Sequence, residues 1–240
     1  MTAPIEAMAI IIPARNEQSL LAACLAALTG SIAGFHEATT SVHVSVTVVL
    51  DRTTDSSQDI LAGFPQINVV ASSAGRVGSA RNHGIRHALS LAESPRERIW
   101  ILNTDADSTV PSNWMSQHWR LACEGSDVVT GTVEPHRDGM TARQLSLWHR
   151  AHDLSEGHAH VHGANLGFRA DVYQRLGGYR DVPVHEDRDF VEAARTHGFL
   201  VRATDLCRVL TSGRRHSRVD GGFAGYLAHL SAQDAGLPAI

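Results

Sequence analysis

Met8-Ala-Ile-Ile-Ile-Pro13 is a short apolar run stopped by proline and followed directly by Ala14-Arg-Asn-Glu17. A continuous run of this kind reads as a strand buried in a parallel sheet. Leu20, Leu21, Cys24, Leu25 and Leu28 then recur at helical spacing, so Glu17–Leu28 reads as a helix that Gly30 closes. The alternation repeats. Val42–Leu50 is a second strand, and the polar turn Asp51-Arg-Thr-Thr-Asp55 opens another helix. Ile67–Ala71 is a third strand, Gly75–Gly78 turns the chain, and Ser79 caps a helix reaching about Leu91. Arg98–Leu102 is a fourth strand ending in Asn103-Thr-Asp-Ala-Asp107. Pro111 starts a helix in its first turn, where a missing N–H costs nothing, and Val128–Val133 is a fifth strand. This βαβαβαβ order predicts an α/β fold, a mostly parallel central sheet with helices on both faces. The remainder is more mixed: a helix, a Gly-rich stretch near Gly163, another helix, and short strands near Val201 and Val209. It reads as an extension of the same domain, giving one domain over residues 1–240.

Composition narrows the class. With 240 residues, 43% hydrophobic and 19% charged, the chain can bury roughly 70% of its unfolded surface without disulfides or metals. A net charge of −4 offers no general attraction to nucleic acid or an acidic membrane, so neither is expected as a partner. Cys24, Cys123 and Cys207 are far apart with no C-x-x-C pairing, and read as small buried hydrophobes in a reducing compartment. The longest strongly apolar run, about Val44 to Leu50, is too short to span a bilayer, and no basic segment precedes the first apolar stretch. The expectation is a soluble cytoplasmic protein with no transmembrane segment; a homo-oligomer is allowed. All 21 basic residues are arginine, which excludes the P-loop lysine, the kinase lysine and every Schiff-base mechanism.

In open α/β sheets ligands bind beyond the carboxyl ends of the strands. The polar clusters lie there: Pro13-Ala-Arg-Asn-Glu17 after strand one, Asp51 to Asp55 after strand two, Asp105-Ala-Asp107 after strand four. Two carboxylates two residues apart are hard oxygen ligands suited to Mg²⁺ or Mn²⁺ shared with a substrate phosphate. The plain alternative is a pair of acids favoured by a β-turn.

Taken together, these clusters and Gly78-Ser-Ala-Arg-Asn82 resemble, in order and spacing, the signature of family 2 glycosyltransferases. Gly163-Ala-Asn-Leu-Gly-Phe-Arg169, Gly177-Gly-Tyr179 and His185-Glu-Asp187 resemble that family's acceptor-side segment and Glu-Asp motif, so the resemblance spans roughly residues 8 to 200. It implies a single GT-A-type domain, with residues 1–125 binding a nucleotide sugar of UDP or GDP type and residues 126–240 an acceptor. The implied activity is metal-dependent hexosyl transfer to a small-molecule or glycan hydroxyl, with Mn²⁺ or Mg²⁺. By the same resemblance Asp51 meets the base, and Pro13, Ala14, Arg15 and Glu17 line the nucleoside pocket. Asp105 and Ala106 look like the ribose or diphosphate side, and Asp107 the metal ligand. His216, in an Arg-rich turn, is a second metal candidate, since some GT-A enzymes bring a C-terminal histidine to the ion; an exposed basic loop is the plain alternative. Two positions depart from the pattern: Leu50 replaces a second aspartate, and Arg52, expected to face solvent, replaces the usual glycine.

Arg81 falls in the first turn of its helix, near where phosphate could bind; pairing with an aspartate is the structural alternative. Asn82 and Asn165 stand equally between ligand contact and turn support. A single displacement needs a base for the acceptor hydroxyl. Glu186-Asp187 opens a helix running to about His197, where acids also offset the macrodipole. The resemblance implies Asp187 as base, Glu186 holding the loop or acceptor, and inversion at the anomeric carbon. His158, His160 and His162 alternate, so an extended segment puts them on one face. Their spacing of roughly 6.6 Å argues against one shared ion and for solvated or acceptor-contacting rings. His149 and His152, at i and i+3, read as a helix surface. Rival classes are a non-catalytic nucleotide-sugar binder, a sugar nucleotidyltransferase (disfavoured by the missing Gly-rich loop and lysines) and a histidine-cluster metallohydrolase.

Overall fold

The computed structural model describes residues 3–137 and 140–213. Strand β1 (Ala7–Ala14) pairs in parallel with both β2 (His43–Asp51) and β4 (Ile99–Asn103), and β2 pairs in parallel with β3 (Asn68–Ser72). The sheet continues through β7 (Leu166–Arg169), β6 (Val128–Pro135) and β8 (Val201–Thr211) to the two-residue β5 (Ser108–Thr109), in the order β3-β2-β1-β4-β7-β6-β8-β5. Strand β7 is antiparallel to both neighbours, while β6 and β8 run parallel. The sheet is mostly parallel, as expected, with β7 reversed at its centre and the two-residue β5 antiparallel to β8 at its edge.

Strand β1 shows why both faces are covered. Met8, Ile10 and Ile12 enter one core with residues of α1 (Leu21–Ala38) and α4 (Trp114–Cys123). Ala7, Ala9 and Ile11 enter the other with α3 (Val77–Leu91), α6 (Ala170–Leu176) and α7 (Glu186–Thr196). Period-two side chains thus feed two cores from one apolar run. Helix α3 packs closely because Gly84 lacks a side chain; a Cβ there would lie 2.6 Å from Val49 and 2.8 Å from Ile11. The short α2 (Ser57–Leu61) follows β2, and α5 (Ala142–Ala151) follows β6.

Several boundaries differ from the sequence reading. Helix α1 runs through Gly30 to Ala38, since Gly30 has open space around it and a helix interior tolerates glycine at about 1 kcal/mol. At 18 residues α1, and not Val44–Leu50, is the apolar stretch among the described residues long enough to cross a membrane; its Leu21, Cys24, Leu25, Leu28 and Phe35 are buried in the core. Helix α3 begins at Val77, and Ser79 caps nothing: its hydroxyl donates to Asp181 Oδ1 at 2.7 Å. Pro111 lies before α4 in a turn closed by Trp114 N–H. Val201 and Val209 belong to one strand, β8, with a register shift opposite Gly131 and Val133.

Asn165 is structural. Its Oδ1 accepts from Trp114 Nε1 at 2.8 Å and His118 Nε2 at 3.1 Å, and its amide donates to the carbonyls of Thr132 (2.8 Å) and Cys207 (2.9 Å). Two donors and two lone pairs exhaust an asparagine amide, so no capacity remains for a ligand. Burial pushes the His118 imidazole down to about 4, against the Asn165 bond, which favours the charged ring. An unfolded chain takes up the proton near pH 6.5, while the folded chain resists until near pH 4, so folding stability falls as pH drops through that window. We expect the pH 7 to pH 4.5 loss of stability in urea unfolding to shrink by about 2 kcal/mol in His118→Gln. Equal losses in variant and parent would remove His118 as the source.

Candidate active site

The carboxyl ends of β1, β2 and β4 meet the N-terminus of α7 and the segment before β7 around a cavity of about 640 Å³. Pro13, Ala14, Arg15, Glu17, Asp51, Arg81, Asp105, Ala106, Asp107, Glu186 and Asp187 all line it. These eleven sequence-derived candidates therefore reach one space, whereas Asn82 and Asn165 do not line it. His216 lies outside the described residues.

The loops after β1 and β2 are stitched together. Asp55 Oδ1 accepts from the Ser57 hydroxyl (2.6 Å) and amide (3.0 Å), Asp55 Oδ2 from Gln18 N–H at 2.9 Å, and Ser57 Oγ accepts from Glu17 N–H at 3.0 Å. Thr53 Oγ1 donates to Ala14 O at 3.1 Å. Asp51 is buried, and its Oδ1 accepts from the Ser72 hydroxyl at 2.8 Å while Oδ2 accepts from Gly75 N–H at 2.8 Å. These bonds fix the turn into α3 and use part of the carboxylate's acceptor capacity. Arg52 faces outward as expected: its Nε donates to Ser73 O at 2.9 Å and its guanidinium covers Gly75.

Arg81, 2% exposed, stands between two carboxylates. It donates through Nη2 to Asp105 Oδ1 at 2.7 Å and through Nη1 to Glu186 Oε1. Burial lowers the guanidinium's proton affinity, but Asp105 and Glu186 outweigh it and hold the pKa above normal. Burial pushes the Glu186 carboxyl up, against the pull of Arg81. The Tyr179 ring lies 5.8 Å from the guanidinium carbon. Two glycines make room: a Cβ on Gly163 would sit 2.5 Å from Arg81 Nη2, and one on Gly78 would sit 2.9 Å from Glu186 Cγ. Arg81 makes the ion pairs that one reading expected and also lines the cavity in which the other placed a phosphate. Glu186 holds Arg81 and through it the loop.

Asp187 is held differently. Gly163 N–H donates to its Oδ2 at 2.6 Å and Arg188 N–H to its Oδ1 at 2.7 Å, so two backbone groups among the described residues orient the carboxylate, which stays half-buried at the cavity. Asn82 does not reach the site: it accepts from Tyr173 OH (2.7 Å) and Tyr179 N–H (2.9 Å) and donates to Tyr179 O (2.7 Å).

His152 is not on a helix surface. It stacks on Trp148 at 4.2 Å, donates from Nδ1 to Trp148 O at 2.9 Å, and lines the cavity with His160 and His162. His158, His160 and His162 do share one face, with ring centroids 5.8 Å and 6.0 Å apart. His185, which the sequence offered only as the residue opening His185-Glu-Asp187 and gave no role of its own, also lines the cavity.

Among the described residues, no group of three His, Cys, Asp or Glu side chains is arranged to hold a metal ion. Asp105 and Asp107 still fit Mg²⁺ or Mn²⁺, which need only one or two carboxylates when phosphate and water complete the shell. Arg81 bonds Oδ1 alone of Asp105, whose side chain is 35% exposed, and Asp107 lies half-exposed on the cavity.

An α/β sheet carrying acids at its carboxyl edge is the layout of GT-A enzymes, and solved structures bear this out. The chain superposes on the mannosyltransferase PcManGT from Pyrobaculum calidifontis, in complex with GDP-Man and Mn²⁺, with a TM-score of 0.64 at 16% identity, covering 90% of this chain and 59% of that one. For TarS 1–349 of S. aureus the values are 0.58, 14%, 86% and 60%. For glucosyl-3-phosphoglycerate synthase from Mycobacterium tuberculosis with Mn²⁺ and UDP-glucose they are 0.56, 14%, 98% and 80%. The chain thus spans about 60% of the first two proteins. No curated protein matches the sequence. The family model described as glycosyl transferase family 2 matches residues 9–177, and the chain belongs to that family.

Removing one partner from a buried ion pair strands the other charge. We expect Arg81→Ala to lower unfolding free energy by about 3 to 5 kcal/mol in urea titration. Arg180→Ala, which breaks the exposed pair with Asp189 (3.3 Å), should cost about 1 kcal/mol or less. Equal effects would show that the Arg81 pairs carry no special weight.

Proposed function

We propose that the protein moves a hexosyl group from a nucleoside diphosphate sugar to an acceptor hydroxyl, with divalent metal and with inversion. The observation that carries this reading is the convergence of the donor-side acids and the backbone-held Asp187 on one cavity. Ala14, Glu17 and Asp51 receive the nucleoside, with residues 1–125 as the donor half and 126–240 as the acceptor half. The neighbouring structures solved with GDP-Man or UDP-glucose and Mn²⁺ support a UDP or GDP donor. Asp105 and Asp107 would hold the metal together with the diphosphate. When bound, such an ion neutralises charge growing on the leaving group.

Asp187 takes the proton from the acceptor hydroxyl as that oxygen attacks the anomeric carbon opposite the diphosphate. Two backbone N–H bonds fix the carboxylate's orientation, which is the positioning a general base requires. Arg81, engaged by Asp105 and Glu186, sets the relative placement of the diphosphate-side acid and the start of α7.

Two substitutions separate binding from chemistry. Asp107→Ala is expected to abolish the Mn²⁺-dependent gain in nucleoside diphosphate affinity, read by calorimetry, with an unchanged unfolding midpoint. Metal-enhanced binding that survives intact would remove Asp107 as ligand. Asp187→Asn should keep donor affinity within a few-fold yet lose at least ~10²-fold in transfer. Near-normal transfer, or a product of retained configuration, would overturn the base assignment. A parent protein that binds donor tightly but never turns over would instead be a non-catalytic nucleotide-sugar binder.

A further inference from the structure

Within the reading as a glycosyltransferase, the structure assigns the acceptor class. We propose that His160 and His162, set against His152, recognise the hydroxyl groups of an uncharged, polyhydroxylated acceptor of the carbohydrate type.

The three rings form part of a column built on Trp148: His152 stacks on Trp148, His160 lies 5.1 Å from His152, and His162 lies 6.0 Å from His160. His158, on the same face 5.8 Å from His160, does not line the cavity; its Nε2 reaches Thr204 O at 3.3 Å. Glu156 fixes the segment to β8, accepting from Thr204 Oγ1 at 2.9 Å and Asp205 N–H at 2.5 Å. The column is therefore a built wall. His162 immediately precedes Gly163, whose N–H orients Asp187, so the wall adjoins the proposed base.

Burial first, and then the neighbouring histidines, push His162 down to about 3; burial also lowers His152 and His158. A neutral imidazole carries one donor and one acceptor, the complement of an O–H group that both donates and accepts. A carboxylate or phosphate finds no charge on such a ring. Nor does the rest of the cavity favour one. Among the described residues six acids, Glu17, Asp51, Asp105, Asp107, Glu186 and Asp187, line the cavity against three arginines, Arg15, Arg81 and Arg188, and Arg81 is engaged by Asp105 and Glu186, so a second anion beside the donor diphosphate would meet an excess of acids. Val133, Val161 and Ala164 line the same cavity and supply apolar surface for the C–H faces of a sugar ring.

The test uses the full chain, the nucleotide sugar that binds it most tightly, and three acceptor sets: uncharged methyl glycosides, sugar phosphates and hydroxy acids. The expected result is transfer to methyl glycosides. His160→Phe and His162→Phe keep the ring but lose its nitrogens, and should each raise the acceptor KM about tenfold, the loss of one hydrogen bond. Their donor Kd, measured by calorimetry, should stay within two-fold of the parent's, which also reports an intact fold. Transfer confined to sugar phosphates or hydroxy acids, or an unchanged acceptor KM in both variants, would overturn the assignment while leaving glycosyl transfer standing. A parent that binds no nucleotide sugar would overturn both.

Discussion

The buried guanidinium of Arg81 is the contact on which the site depends. Asp105 comes from the loop after β4, Arg81 from the second turn of α3, and Glu186 from the first residue of α7. Three segments separated by up to 105 positions are thereby tied at one point. The pairing is costly to make, because both ions leave water, and more costly to break, because a lone buried charge would remain. That asymmetry explains the glycines beside it. Gly163 and Gly78 leave the space that Arg81 and Glu186 occupy, so the ion pairs dictate residue choice at neighbouring positions that carry no charge.

Much of this was legible in sequence, and the reasons are local. The apolar runs of β1, β2 and β4 have little alternation because each is buried on both faces, and that pattern identifies a parallel sheet's interior without any tertiary knowledge. Loops at their carboxyl ends then had to carry the polar clusters. Strand β7 was not legible: Leu166–Arg169 is four residues long and buried throughout, and nothing in such a run encodes direction. Its antiparallel entry between β4 and β6 is a tertiary outcome. Gly30 misled because its role depends on surroundings. In open space it merely weakens α1, whereas Gly177, at φ 77°, does end α6.

Polar residues divided by whether their partners were near in sequence. Asn82 and Asn165 sit in motifs that suggested ligand contact, yet their partners lie 91 to 97 and 33 to 51 positions away respectively. No spacing rule reaches that far. The alternation of His158, His160 and His162 did yield a shared face, since period two is a property of extended chain alone. His152 escaped because α5 ends at Ala151, which frees its ring to fold back onto Trp148 instead of following the helix surface.

Three described non-glycine residues have positive φ: Asn16 (53°), Arg52 (52°) and His185 (68°). Each lies just past β1, just past β2 or just before α7, where the chain must turn sharply to leave the cavity edge. The left-handed region costs a side-chain-bearing residue roughly 1 to 2 kcal/mol. At Asn16 the cost is offset by Oδ1 accepting from Thr54 N–H at 2.8 Å, and at Arg52 by its N–H and Nε donating to Ser72 O and Ser73 O, both at 2.9 Å. Arg52 occupies the position where the family usually has glycine, and its backbone conformation is the one glycine adopts freely. The departure from the motif is therefore in side chain only. A guanidinium closing over Gly75 stabilises a turn that glycine would leave loose, and that turn is also held by Asp51. Strain at the cavity edge is thus carried by hydrogen bonds between the loops themselves, and the two apolar cores beneath are left to specify the fold.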